Sequence, residues 1–261
     1  MPPSTTRPTV ALVHGFPGGS ADFSLLADEL IARGWDRDQL VVHDLVGFGS
    51  QTGEHAFDEL WVPAQAQRLQ AALAGAGDVV LVGHDVGGPI ALAAAELLGS
   101  RVRGLVLASS NLLRDPPLPG PFRLLKMPVL GPVVELLAFS RASLRAMARF
   151  GRRRGPLPRP NSPAEGRAIR TIFATALRDP AAHFGPVQHL LEAYPRPIHL
   201  VTGDRDPFFS VEHAKRQASL ARGSRLTVLR RTGHFPQLEE PTALADIVEA
   251  EARQTATAQH P

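Results

Sequence analysis

Along the chain, short apolar runs alternate with stretches whose apolar positions recur every three to four residues. The runs fall at 9–14, 40–45, 79–83, 104–108, 197–202 and 226–229. Each is rich in Val, Leu or Ile and lacks the apolar–polar alternation of a half-exposed strand, so each predicts a strand covered on both faces. Helical spacing occupies 21–33, 57–74, 89–98, 211–220 and 241–255. The alternation predicts an α/β fold: a mostly parallel sheet of about six strands, with right-handed crossovers placing helices on both faces.

One interval breaks the rhythm. Residues 112–194 carry many prolines and several helical stretches but no convincing strand. A gap that long inside a compact domain predicts an inserted subdomain rather than a loop. The chain then divides into a core, 1–111 and 196–261, and a helical cap, 112–195. Cap helices are expected at 131–150, 164–178 and 181–193, and the proline-rich segment 155–160 should be extended. The tail 256–261 reads as disordered.

Composition excludes several classes of function. The chain has no cysteine, hence no disulfide, thiolate metal site or cysteine nucleophile. That fits a reducing compartment, and a cytoplasmic location is expected. The first residues lack the apolar segment of a leader, and no run approaches the roughly 18 apolar residues of a membrane span. With one Tyr and two Trp, nothing resembles an aromatic-interleaved nucleic-acid surface. No histidine and carboxylate cluster has metal-ligand spacing, and no cofactor is implied. The expected partner is a small-molecule substrate; the oligomeric state is not legible.

Charge adds one asymmetry. The net charge is +3, yet residues 112–195 hold 13 Arg or Lys against 5 Asp or Glu, so that segment is +8 and the remainder −5. Such a segment could steer an anionic substrate or partner, or could be a solvated surface. Arg152, Arg153 and Arg154, set among Gly and Pro, read as an exposed loop.

Four loops carry the candidate chemistry. Gly83-His84-Asp85-Val86-Gly87-Gly88 joins a strand directly to a helix opened by Pro89. Strand, sharp turn and helix form the frame of a nucleophile elbow, whose central residue projects from the carboxyl edge of the sheet. Here that residue is Asp85, and no Gly-x-Ser-x-Gly occurs elsewhere. The competing reading of Asp85 is a helix cap. His14-Gly15-Phe16-Pro17-Gly18-Gly19, after the first strand, can aim the Phe16 N–H at the same point as the Val86 N–H, forming an oxyanion hole. Thr232-Gly233-His234-Phe235-Pro236 follows the last strand and offers His234 as a base. Gly203-Asp204-Arg205-Asp206-Pro207 supplies an acid to orient it, with Asp206 preferred to Asp204, which suits a turn. The order Asp85, Asp206, His234 is nucleophile, acid, histidine.

Through HGFPGG, DLVGFGSQ, GHDVGG, GDRDPF and TGHFPQLEEP the sequence resembles the α/β-hydrolase superfamily over nearly its whole length. HGFP with GHD resembles the epoxide hydrolase and haloalkane dehalogenase branch, which uses an aspartate nucleophile. The resemblance implies the α/β-hydrolase fold, here reduced at the N-terminus, where the leading antiparallel strands of many members have no room. It departs from the branch in its leaving-group donors. Epoxide hydrolases use two cap tyrosines, whereas this chain has only Tyr194; the halide-holding Trp and Asn of dehalogenases are replaced by Val86 and Phe16. The remaining candidate donors are Tyr194, His183, His189 and Trp61.

A carboxylate is charged at neutral pH and can displace a leaving group at saturated carbon directly, giving an alkyl ester on Asp85. The leading expectation is therefore a hydrolase with a covalent Asp85 intermediate, epoxide hydrolysis ahead of dehalogenation. The alternatives are a cofactor-independent lyase, isomerase or cyclase in which Asp85 and His234 move protons, and a ligand-binding protein that has kept the pocket.

Overall fold

The computed structural model describes residues 7–117 and 120–253; the tail 256–261 lies outside the described residues. Six strands, β1 (Thr9–Val13), β2 (Leu40–His43), β3 (Val79–His84), β4 (Val102–Ala108), β5 (His199–Gly203) and β6 (Arg225–Leu229), form one sheet in the order β2-β1-β3-β4-β5-β6. Every neighbouring pair is parallel. All six lie within two residues of the apolar runs, because strands buried on both faces need apolar side chains at successive positions.

That double burial is visible residue by residue. Ala11, Val13, Leu81, Leu105 and Leu107 face one apolar core, while Val10, Leu12, Val80, Val82 and Val106 face a second on the other side of the sheet. Leu81 is fully buried, so truncating it to alanine would cost about 3 kcal/mol. Helices α1 (Ser24–Ala32), α2 (Phe57–Leu60), α3 (Val62–Ala72) and α4 (Gly87–Leu98) connect the first strands. The single helix expected over 57–74 is two. Trp61 is extended between them, and Pro63 in the first turn of α3 lacks the N–H that a continuous helix would require.

Between β4 and β5 the chain builds only helices among its described residues: a 3-10 segment, Gly120–Lys126, then α5 (Leu130–Ala138), α6 (Arg141–Gly151), α7 (Pro163–Arg178) and α8 (Pro180–Ala193). The helix expected over 131–150 is also divided. Ser140 leaves the helical conformation and its hydroxyl caps α6 by accepting from the Ser143 N–H. The core closes with α9 (Val211–Leu220), α10 (Pro236–Glu239) and α11 (Pro241–Ala252).

Strand order fixes the place of a site. From β1 the chain steps outward to β2, then returns to lay β3 on the opposite flank of β1. The loops leaving the carboxyl ends of β1 and β3 therefore diverge, and the crevice between them is where open α/β sheets accept ligands.

Candidate functional site

Asp85 sits at the apex of the turn between β3 and α4 with φ of 51°, a left-handed conformation that costs a non-glycine residue about 1–2 kcal/mol. The strain is held by close packing. A Cβ on Gly87 would lie 2.2 Å from the Val13 carbonyl oxygen, and one on Gly15 would lie 2.4 Å from the Asp85 Cβ. Only glycine lets the β1 loop and the elbow touch. The Asp85 side chain does not cap α4, which has no side-chain cap. It turns instead towards the β1 loop, where Oδ2 accepts the Phe16 N–H at 2.8 Å. The Val86 N–H also favours the charged form of this carboxylate. Burial pushes the Asp85 carboxyl up, against the opposing pull of His234 and of the two amides.

The last loop brings His234 to this carboxylate. Its Nε2 stands 3.9 Å from Asp85 Oδ1, too far for a direct hydrogen bond. Its Nδ1–H donates to Asp206 Oδ2 at 3.0 Å, which selects the tautomer with a lone pair on Nε2 when the ring is neutral. Asp206 Oδ1 accepts the Phe208 and Phe209 N–H groups at 2.8 and 3.1 Å. Burial pushes the Asp206 carboxyl up, but His234 and these amides together hold it below the usual carboxylate range. Burial alone would lower the His234 imidazole; Asp206, Asp85 and Glu239 outweigh it and raise it above 6.5. Asp204, the competing acid, is exposed and accepts the Thr232 N–H at 3.3 Å, as a turn residue does.

Three further residues fix the His234 loop. His84, buried inside the elbow frame, donates its Nε2–H to the His234 carbonyl at 2.7 Å, and burial lowers its pKa to about 3, so it stays neutral. Glu239 accepts the N–H groups of Gly233 at 2.9 Å and Phe235 at 3.2 Å, and also those of Arg153 and Arg154. Gly151, at the end of α6, accepts the His234 N–H at 2.8 Å. The inserted helices are thereby tied to the loop that carries the imidazole.

Asp85 and His234 open into a cavity of about 130 Å³, close to the roughly 150 Å³ of an apolar cavity that accepts one benzene. Its walls are apolar, with Phe122, Phe139, Met147, Phe173 and Phe184 from the insertion facing Phe16 and Val86 from the core. Asn111, after β4, is the one further polar side chain among the described residues lining it. Its Nδ2 donates to the Leu113 carbonyl at 2.9 Å, leaving one N–H.

The four expected leaving-group donors are not on this wall. Tyr194 is buried at the end of α8 with its hydroxyl accepting from Arg196 at 3.2 Å, and burial pushes its ionisation up. His183 packs edge-on against Phe57 and Trp61, and Trp61 lies behind Phe184. The His189 side chain is 90% exposed beside Glu192. Each step along α8 rotates the side chain by about 100°, so with Phe184 facing the cavity, His183 and His189 are turned elsewhere. Asn111 was missed because a lone asparagine after a strand carries no pattern.

A family model described as the alpha/beta hydrolase family matches residues 10–247. The chain belongs to that family. Among curated relatives, this alpha/beta hydrolase is 25% identical over 256 residues to LipZ of Mycobacterium tuberculosis, whose name assigns it only provisionally to the hydrolases; the match covers 92% of this chain and 86% of LipZ. It is 26% identical to Rv2715 of the same organism, an uncharacterised protein, over 93% of this chain and 74% of the other. Among solved structures, the 2-hydroxy-6-oxo-6-phenylhexa-2,4-dienoate hydrolase of Rhodococcus sp. RHA1 superposes with a TM-score of 0.74 at 18% identity, covering 95% and 91% of the two chains. A thermophilic esterase of Thermogutta terrifontis gives 0.64 at 23%, covering 94% and 90%. At these identities the structural likeness carries the fold. Family membership supports a hydrolase; the narrower epoxide hydrolase and dehalogenase branch is not distinguished by it.

Proposed function

We propose that the protein is a hydrolase that attacks a small apolar electrophile at saturated carbon through a covalent ester on Asp85. The observation that carries this reading is the Phe16 N–H on Asp85 Oδ2. In an acyl-transfer enzyme the oxyanion hole must receive an oxygen of the substrate. Here it holds an oxygen of the protein's own carboxylate. That arrangement suits a reaction whose tetrahedral centre is the Asp85 Cγ, and it leaves Oδ1 as the nucleophile.

The steps follow from the geometry. Asp85 Oδ1 bonds to the substrate carbon as the leaving group departs with its electron pair, giving the ester. Neutral His234, oriented by Asp206, takes a proton from water. The resulting hydroxide adds to Asp85 Cγ, and the charge on Oδ2 rests on the Phe16 and Val86 amides. Collapse breaks the Cγ–O bond to the alkyl group, His234 returns the proton to the departing oxygen, an alcohol leaves, and the carboxylic acid left at Asp85 releases its proton to solvent to restore the carboxylate.

The cavity bears on the leaving group. No tyrosine hydroxyl lines it among the described residues, and an epoxide oxygen needs an acid. A group that departs as a stable anion, such as halide, needs only N–H donation in apolar surroundings, and Asn111 has one N–H to give. The preference between the two branch activities thus moves towards dehalogenation. A single turnover of a small haloalkane in heavy-oxygen water should place the label in the peptide containing Asp85. Label found solely in the product alcohol rejects the covalent ester.

The raised Asp85 carboxyl and His234 imidazole favour a second reading, proton transfer without a covalent intermediate. Asp85→Asn separates the two: alkylation ends entirely, whereas proton transfer through His234 leaves partial activity.

A further inference from the structure

Beside the reactive cavity lies a second concavity, of about 300 Å³, between α6 and the segment 157–161. Pro17 and Leu144 belong to the walls of both, so the two spaces adjoin at the turn that presents the Phe16 N–H. Their chemistry is opposite. The second is edged by Arg141, Arg145 and Arg149. These follow one another at four-residue spacing and therefore share one face of α6.

None of the three side chains forms an ion pair or hydrogen bond with any described residue. Arg159, on the opposite wall, is different: it pairs with Glu165 at 2.5 Å. Asn161 is committed to Gly18, donating to its carbonyl and accepting its N–H. The carboxylates near this wall are also engaged. Asp22 accepts the Arg159 and Gly19 amides, and Glu165 accepts those of Gly49 and Ser162. Three guanidinium groups thus gather around a concave surface, repelling one another, and none of them is paired with a carboxylate of the described chain. A concavity lined by one sign of charge concentrates ligands of the other, and the guanidinium fork matches the two oxygens of a carboxylate or phosphate.

We propose that this groove receives an oxyanion group of the substrate, carboxylate or phosphate, while the apolar remainder enters the cavity and brings its reactive carbon to Asp85. The assignment rests on Asp85 as the reactive end and adds the substrate class: an amphiphile with an anionic head and a small apolar body.

The test measures binding rather than turnover. The probes are 3-phenylpropanoate and 6-phenylhexanoate, the corresponding phenylalkyl phosphates, and the corresponding neutral alcohols, titrated calorimetrically into the full chain at low and at high salt. The comparison protein carries Arg141→Gln, Arg145→Gln and Arg149→Gln together, all exposed positions, with folding checked by circular dichroism. An anionic probe of at least one length should bind roughly three- to tenfold tighter than its alcohol at low salt, as two or three solvent-exposed ion pairs provide. That advantage should vanish in the triple variant and at high salt while alcohol binding is unchanged. Whether carboxylate or phosphate gains more identifies the head group. Equal binding of anion and alcohol at both lengths, or a triple variant that keeps the preference, overturns the proposal. Asp85→Asn keeps the charge preference if the groove is correctly assigned, so a failed label at Asp85 with the preference intact removes the covalent mechanism and leaves the groove standing.

Discussion

Two buried histidine–carboxylate pairs occupy opposite ends of this sheet, and they do different work. At the carboxyl edge His234 bonds Asp206 at 3.0 Å; at the amino end His199, the first residue of β5, bonds Glu251 of α11 at 2.9 Å. By residue type, distance and burial the pairs are nearly interchangeable. Their second nitrogens differ. His199 Nε2 meets the Thr227 hydroxyl at 2.8 Å and Glu251 also holds Arg225, so both ring nitrogens of His199 are engaged within the protein. His234 Nε2 has no hydrogen-bond partner among the described residues and looks across 3.9 Å to Asp85 in the cavity. A pair becomes a candidate for chemistry when its outer nitrogen is left for something outside the protein.

The largest expected effect tests that distinction directly. His234→Gln should lower kcat by about 10²–10⁴, the contribution of a positioned general base, and should also lower Tm, because the buried Asp206 carboxylate loses its charged partner. It should also accumulate the Asp85 ester, seen as a mass increase on the Asp85 peptide. A variant that retains turnover would make the two pairs equivalent after all.

Asp206→Asn comes next, through pH. Because the His234 imidazole is raised, its basic form appears only as pH climbs through a value above 6.5, so the rate should rise with pH across that limb. Asn at 206 removes two of the influences that raise it. The limb should move to lower pH while its plateau falls at least about tenfold. Stability follows the same signs. The lowered Asp206 carboxyl stabilises the fold above its unfolded value of 3.8 and loses this as pH falls through its lower folded value. The raised imidazole stabilises below 6.5 and loses this as pH rises through its higher folded value. The pair's contribution is therefore greatest between 3.8 and 6.5, and the acid and alkaline edges of Tm should both flatten in the variant.

The two ends also differ in how far the sequence discloses them. Strands announce themselves because double burial forces runs of Val, Leu and Ile, and all six are legible. Asp85, Asp206, His234, Phe16 and Val86 are brought together as their loops suggest, because each lies in a glycine-rich turn after a strand, where spacing is local. What is illegible depends on distant contacts or on helix rotation. His84 reaches the His234 carbonyl 150 positions away, and Glu239 binds amides on two separate segments. His183 and His189 fail as cavity donors because the phase of α8 is set by which side packs inward. The His199–Glu251 pair carries no motif at all, since nothing local marks a histidine at the start of a strand.

At the amino end the expected losses are in stability. Glu251→Gln leaves His199 and Arg225 facing a neutral group, and Glu251 is 2% exposed. Removing one partner of a fully buried pair costs 3–5 kcal/mol; with the Arg225 side chain half in solvent, about 2–3 kcal/mol is expected here. That lowers Tm by roughly 4–12 °C for a chain of this size, with kcat unchanged. A fall in kcat at a temperature where the variant is fully folded would mean the two ends are coupled.

The smallest effect is the sharpest. Thr227→Val removes the hydroxyl from His199 Nε2 with little change of volume, giving this histidine the free outer nitrogen that distinguishes His234. If an unpartnered nitrogen beside a carboxylate were enough for reactivity, the amino end should gain hydrolytic activity against an activated ester such as p-nitrophenyl acetate. None is expected. His199 does not line the cavity that holds Asp85 and His234, and the exchange leaves a polar atom without a partner at about 1–2 kcal/mol. Measured against a background in which His234→Gln silences the carboxyl edge, a Tm loss of a few degrees with no new activity would show that the free nitrogen matters only where a strained carboxylate and two converging N–H groups stand opposite it.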